Sequence, residues 1–137
     1  MAATPPFDSL ATLSAVSLFT DDLPTSKAFY TGVFAAKVLF EDADSCAVKF
    51  SNVIVNLLRV EAAAELVAPA AVGARDAGKR FQMTVWVDDL DDAMDKLKQR
   101  GVDRFLVGPE TKPWGLRVVT FEDPAGHSWE VAQDITK

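Results

Sequence analysis

The tripeptide Asp-Asp-Leu occurs twice, at Asp21-Asp22-Leu23 and at Asp88-Asp89-Leu90, 67 positions apart in a chain of 137 residues. A repeat of half the chain length restricts the fold to two related units in tandem, and it has to be identified before any architecture is assigned. In the second copy "FQMTVWV" alternates and is rich in β-formers, so it reads as a strand. From Leu90 the apolar positions Leu90, Ala93, Met94 and Leu97 fall at i, i+3, i+4 and i+7, one face of an amphipathic helix. The aspartates are therefore helix-start residues rather than a metal cluster. Asp88 or Asp89 supplies an N-cap oxygen, and Asp91 and Asp92 offset the positive end of the helix dipole. Lys96, Lys98 and Arg100 load the last turn, and Gly101 stands where a helix stop favours a left-handed residue.

The first copy, "AVSLFTDDLPTSKAFYTGVF", repeats the strand, tight turn and helix. Pro24 sits early in the helix, where its missing N–H costs nothing. Leu23, Ser26, Phe29 or Tyr30, and Val33 face inward at helical spacing. Three short strand candidates follow each helix. They are "KVLFE", "CAVKF" and "VIVNLLRV" in the first half, and "RFLV", "LRVVTFE" and "SWEVAQ" in the second, with a turn at "EDPAGH". Each half thus reads βαβββ. The fold class expected is α+β: two tandem βαβββ modules, at 13–60 and 80–137, after a lead-in over 1–12 and joined by an alanine-rich linker at 61–79.

Composition narrows the function. No apolar run reaches the length of a membrane span, and no export signal is visible at the N-terminus, so a cytoplasmic protein is expected. The single cysteine, Cys46, excludes an internal disulfide and reads as a small buried hydrophobe. A net charge of −6 with no basic run argues against a nucleic-acid partner.

The tandem βαβββ pattern, the "DDL" starts, "AFYTGVF" and above all "PWGLRVVTFEDPAGHSWEV" resemble the vicinal oxygen chelate superfamily, the glyoxalase, bleomycin-resistance and extradiol-dioxygenase group. The resemblance covers roughly residues 13–133. It implies mixed sheets curled into a cup, a homodimer, and a small-molecule ligand held on the inner strand faces. Metal-dependent members place ligands at four positions, on the first and last strand of each module. These correspond to Ala15, Asn56, Gln82 and Glu130. Alanine has no donor and the two amides are weak neutral ligands, whereas a catalytic divalent metal wants about three strong protein ligands. No cofactor is therefore expected, and the remaining donors suit at most a weakly held Mg²⁺ or Mn²⁺.

Because strands alternate faces, the ligand positions also fix their neighbours. Leu13, Ser17 and Phe19, Ile54 and Leu58, Thr84 and Trp86, and Ser128 and Ala132 join them on the cup side. Val16, Leu18, Val55, Leu57, Met83, Val85 and Val131 lie under the helices, and Trp129 is core. The cup set mixes apolar walls with a few polar groups, as small-molecule pockets do. The ligand-binding residues expected are Phe19, Asn56, Gln82, Trp86, Trp114 and Glu130, with the tryptophans stacking on a planar or cationic ligand. Glu130 is the catalytic candidate if the chain is an enzyme; otherwise it is a remnant paired with Arg117 or Arg59 or bonded to Gln82. His127 reads as a polar turn residue. Three readings stay open. One is a metal-independent binder of the bleomycin-resistance kind. Another is a metal-dependent lyase, isomerase or dioxygenase using Glu130 and Gln82. The third is a scaffold with a vestigial cup.

Overall fold

The computed structural model describes residues 9–137. The lead-in expected over 1–12 lies outside the described residues as far as residue 8, and continues as a short 3₁₀ turn at Ser9–Ala11. Two four-stranded sheets follow, one from each half. The first contains β1 (Ala15–Thr20), β2 (Lys37–Glu41), β3 (Ser45–Lys49) and β4 (Ile54–Arg59), in the order β1-β4-β3-β2. The second contains β5 (Gln82–Trp86), β6 (Val107–Thr111), β7 (Leu116–Glu122) and β8 (Ser128–Asp134), in the order β5-β8-β7-β6. In each sheet the outer pair, β1 with β4 or β5 with β8, is parallel and the other pairs are antiparallel. The helices α1 (Leu23–Val33) and α3 (Leu90–Gln99) link first to second strands, giving the expected βαβββ twice.

Both helices start as the repeat predicts. The Asp22 carboxylate accepts from the Thr25 amide at 3.1 Å, and that of Asp89 from the Asp92 amide at 3.0 Å. At the far end of α3, Gly101 is left-handed at φ 110° while Val102 N–H closes onto the Leu97 carbonyl.

Two expectations need correction, and a third is filled in. The strand placed at "RFLV" lies further on, at Val107–Thr111, across Gly108 and Pro109. Proline cannot donate to a ladder, but β6 is the sheet edge and its register shifts between Val107 and Glu110, so the missing N–H is tolerated there. Phe105, freed from the strand, packs against the core. The joint at 61–79, read as a linker that is helical in part, opens with the helix α2 (Val60–Val67), whose alanines favour it. Leu13 precedes β1 rather than belonging to it.

The core lies between the two sheets, on their helix sides. Leu18, Val55 and Leu57 of one sheet and Val119, Phe121, Trp129 and Val131 of the other are all at most 3% exposed and form one cluster with Tyr30, Val33, Leu90 and Leu97. Aromatic rings cross between the halves. Phe34 stands 4.5 Å from Trp129 by ring centroid, and Phe50 stacks on Trp129 at 5.7 Å. Arg100 at the end of α3 donates from Nη1 to the Val33 carbonyl of α1 at 3.1 Å. Among the described residues no helix is long and apolar enough to cross a membrane. Cys46 is buried, as expected, and burial pushes its thiol pKa up.

Candidate functional site

With the helix sides packed together, the other face of each sheet is open in part: Trp86 is exposed on it, while Val118 and Ala132 are fully buried. Register sets out what it carries. On the first sheet Ala15 pairs with Ile54, Ser17 with Asn56, and Phe19 with Leu58, while β3 adds Ala47 beside Asn56. On the second sheet Gln82 pairs with Ser128, Thr84 with Glu130, and Trp86 with Ala132; β7 adds Glu122, Thr120 and Val118 in the same three rows. The strand pattern therefore holds each side chain on the face its parity predicts.

The polar groups are engaged locally. Asn56 Nδ2 donates to Ser17 Oγ at 3.4 Å, and Gln82 Nε2 to Ser128 Oγ at 3.0 Å. Thr84 Oγ1 donates to Glu130 Oε1 at 3.0 Å. Glu130 thus has a partner not foreseen from the sequence. Arg117 points to the helix side and pairs with Asp91 at 3.0 Å, Arg59 pairs with Asp44 at 3.0 Å, and Gln82 turns to Ser128. Trp86 is 60% exposed on β5, and Trp114 is 69% exposed in the turn before β7. The register places both at the same end of the second sheet, where β5 and β8 finish and β7 begins.

The four metal positions do not fit a metal. Ala15 has no donor atom, only Glu130 bears charge, and the two amides are already bonded to serine hydroxyls. Among the described residues no three His, Cys, Asp or Glu side chains come together as a metal site would require.

A second feature went unnoticed in the sequence. Asp123, in the "EDPAGH" turn, is buried at 3% exposure and gathers four donors. Tyr30 Oη donates to its Oδ2 at 2.5 Å, and the amides of Ala125 and His127 to its Oδ1 at 3.0 and 2.9 Å. His127 Nδ1 lies 2.8 Å from Oδ2. Trp129 Nε1 donates in turn to Tyr30 Oη at 3.1 Å. Burial pushes the Asp123 carboxyl up, but the hydrogen bond and charge of His127, with the bond from Tyr30, outweigh it and hold the pKa below the ordinary carboxylate range. Tyr30 is pushed up, by burial first and then by the Asp123 charge. The only sequence signal was the turn itself. Nothing local links residue 30 to residue 123.

His127 also borders a cavity of about 820 Å³ between the 72–81 segment, the end of β1 and the β7–β8 turn. Phe19 and Ser128 reach it from the rims of the open faces, while Trp86, Trp114, Asn56, Gln82 and Glu130 do not line it.

Residues 12–131 match the family model for the Glyoxalase/Bleomycin resistance protein/Dioxygenase superfamily. Among solved structures, the chain is similar to a glyoxalase/bleomycin resistance protein/dioxygenase from Nocardioides, 24% identical, over 98% of this chain and 87% of that one, with a TM-score of 0.79. It is similar also to a glyoxalase-related enzyme from Fulvimarina pelagi, 21% identical, over 90% and 88%, TM-score 0.75. A lactoylglutathione lyase from Agrobacterium tumefaciens is 22% identical over 94% of this chain and 95% of that one, TM-score 0.72. No curated protein matches. Those structures speak for the fold alone, whereas the family model spans both βαβββ units and the "DPAGH" turn, and the chain belongs to the Glyoxalase/Bleomycin resistance protein/Dioxygenase superfamily.

Proposed function

We propose that this chain is a metal-independent small-molecule-binding protein of the cytoplasm, that it holds a planar or cationic ligand in the sheet cup, and that a second copy completes the cup. The observation that carries the reading is the open face of the second sheet. There the exposed Trp86 and the bonded pair Thr84–Glu130 occupy adjacent rows, giving an aromatic wall beside the Glu130 carboxylate. A planar cation suits that pair, since stacking contributes about 0.5–1.5 kcal/mol per aromatic contact and cation–π attraction a similar amount. The donor set argues against a resident transition metal. Dimerisation is supported by large apolar side chains left exposed on both sheets, Phe40, Ile54 and Trp86 at 59%, 37% and 60%.

The test is a titration with ethidium as a planar cationic probe, followed by tryptophan quenching and calorimetry. Binding with Glu130→Gln weakened, Trp114→Phe nearly unchanged and Trp114→Ala weakened more supports the reading. Turnover of a hemithioacetal that vanishes in Glu130→Gln with binding intact replaces it by the enzyme reading. Sedimentation as a monomer only, at micromolar concentration, overturns the shared cup.

A further inference from the structure

We infer that the cavity beside the β7–β8 turn is a second ligand site, selective for a small organic oxyanion with an apolar body. The inference does not depend on the cup or on a dimer, because the cavity is lined within one chain by the 72–81 segment, the end of β1 and the turn at Ala125–Ser128. Its charge runs against that of the molecule. The chain carries a net −6, yet Arg75, Lys79 and Arg80 all line this cavity and Asp21 is its one carboxylate.

The cations converge on the turn. A Cβ placed on Gly126 would stand 3.6 Å from Lys79 Nζ and 3.7 Å from Arg75 Cγ. Arg75 Nη1 donates to the Pro124 carbonyl, which ties the segment to the turn while leaving the rest of its guanidinium fork for other acceptors. Lys79 is held by Glu122 at 3.2 Å. Arg80 has no side-chain partner among the described residues, so its charge is the least committed of the three.

His127 completes the site. Its Nδ1 and its backbone amide are both fixed on the buried Asp123, at 2.8 and 2.9 Å. That anchorage leaves Nε2 as the ring nitrogen open to a ligand, and it donates to an oxyanion when the ring carries both protons, in an orientation set by a group that is itself locked by Tyr30. Phe19 and Phe81, the latter's ring 6.3 Å from the imidazole by centroid, supply apolar walls. Fixed cations with a directed imidazole at one side and aromatic rings at another fit a carboxylate or phosphate carried on a flat or aliphatic body.

His127 is the only histidine, so its ring resonances report on this site alone. The experiment titrates the full chain, labelled at histidine, with benzoate, inorganic phosphate and benzylammonium. Benzoate is expected to shift the ring saturably at millimolar concentration and benzylammonium is not. Phosphate that displaces benzoate shows the oxyanion to be the recognised group; benzoate bound with no competition from phosphate assigns the site to carboxylates. Arg80→Gln, a change at an exposed side chain, is expected to weaken benzoate roughly tenfold, as loss of a charge-assisted contact does. Trp86→Ala is expected to leave it unchanged. The proposal is overturned if no saturable shift occurs, if benzylammonium matches benzoate, or if Arg80→Gln binds like the parent. An effect of Trp86→Ala equal to that of Arg80→Gln also overturns it, since the ligand would then sit in the cup.

Discussion

The two halves share a topology and an opening motif but bury different chemistry. At the repeat offset Tyr30 corresponds to Leu97, Ser26 to Ala93 and Thr20 to Val87. The first half buries the polar member each time: Thr20 Oγ1 and Ser26 Oγ lie 2.7 Å apart, and Tyr30 Oη reaches Asp123. The second half buries Leu90 and Leu97 under a helix whose other side is charged. Val33 and Arg100 correspond as well, and they touch. Equivalent positions that meet lie near the axis relating the halves, so the seam between α1 and α3 is where the repeat folds back on itself. The difference teaches that α3 is held by apolar burial and caps, while α1 adds to its own cap and apolar contacts a polar network that reaches the second half through Tyr30.

The largest test of that contrast is Asp123→Ala. It leaves Tyr30 Oη, His127 Nδ1 and two turn amides without their acceptor, and buried unsatisfied groups cost about 1–3 kcal/mol each. A loss of about 3 kcal/mol or more is expected from urea unfolding at neutral pH. Because the folded pKa of Asp123 is lowered, its stabilisation is fully present above the unfolded value of about 3.9 and fades as pH falls through the lower folded pKa. Stability should therefore fall less steeply below that pH in Asp123→Asn than in the parent. Equal acid slopes would mean that the carboxylate is not what joins the halves.

Tyr30→Phe comes next. It keeps the ring packing but leaves Trp129 Nε1 without an acceptor and removes one donor from Asp123, at an expected cost of about 2 kcal/mol. The His127 ring resonances, a whole half away in sequence, should move with it. A stability loss with no change at His127 would confine the effect to packing in the first half.

The smallest effect concerns the helix ends. α3 stops on Gly101 at φ 110°, whereas the chain leaves α1 through Ala35 at φ 53°, a left-handed residue with a Cβ. Gly101→Ala is expected to lose roughly 0.5–1 kcal/mol and Ala35→Gly to gain a similar amount, read as opposite shifts in the urea midpoint. Shifts of the same sign would remove this difference between the helices.

What could be read in advance was what neighbours in sequence determine. Asp89 and Gly101 bracket α3; the family resemblance put Asn56, Gln82 and Glu130 on the cup side, and alternation along β1, β4, β5 and β8 then placed Ser17, Thr84 and Trp86 beside them. Periodicity also separated the helix-side residues Leu18, Val55 and Val131 from the rest. What escaped depended on contacts distant in sequence. Glu130 found Thr84 rather than an arginine because β7 sends Arg117 to the opposite face, a matter of strand register. Arg75, Lys79 and Arg80 form no basic run, and only the path of the 72–81 segment over the turn gathers them. The edge strand at Val107–Thr111 was hidden by a proline that a central strand would have rejected.

The bond from Tyr30 to Asp123 has a consequence for descent. A repeat of this kind begins as interchangeable copies, each able to stand in for the other. Here the first half carries the hydroxyl and the second the carboxylate that receives it, while the corresponding turn of the first half, Phe50-Ser51-Asn52-Val53, holds no acid. A chain built from two first halves would hold two tyrosines and no acceptor; one built from two second halves would hold two carboxylates and neither tyrosine. The halves have become complementary parts, and a lineage that divides them would have to replace both sides of that bond together.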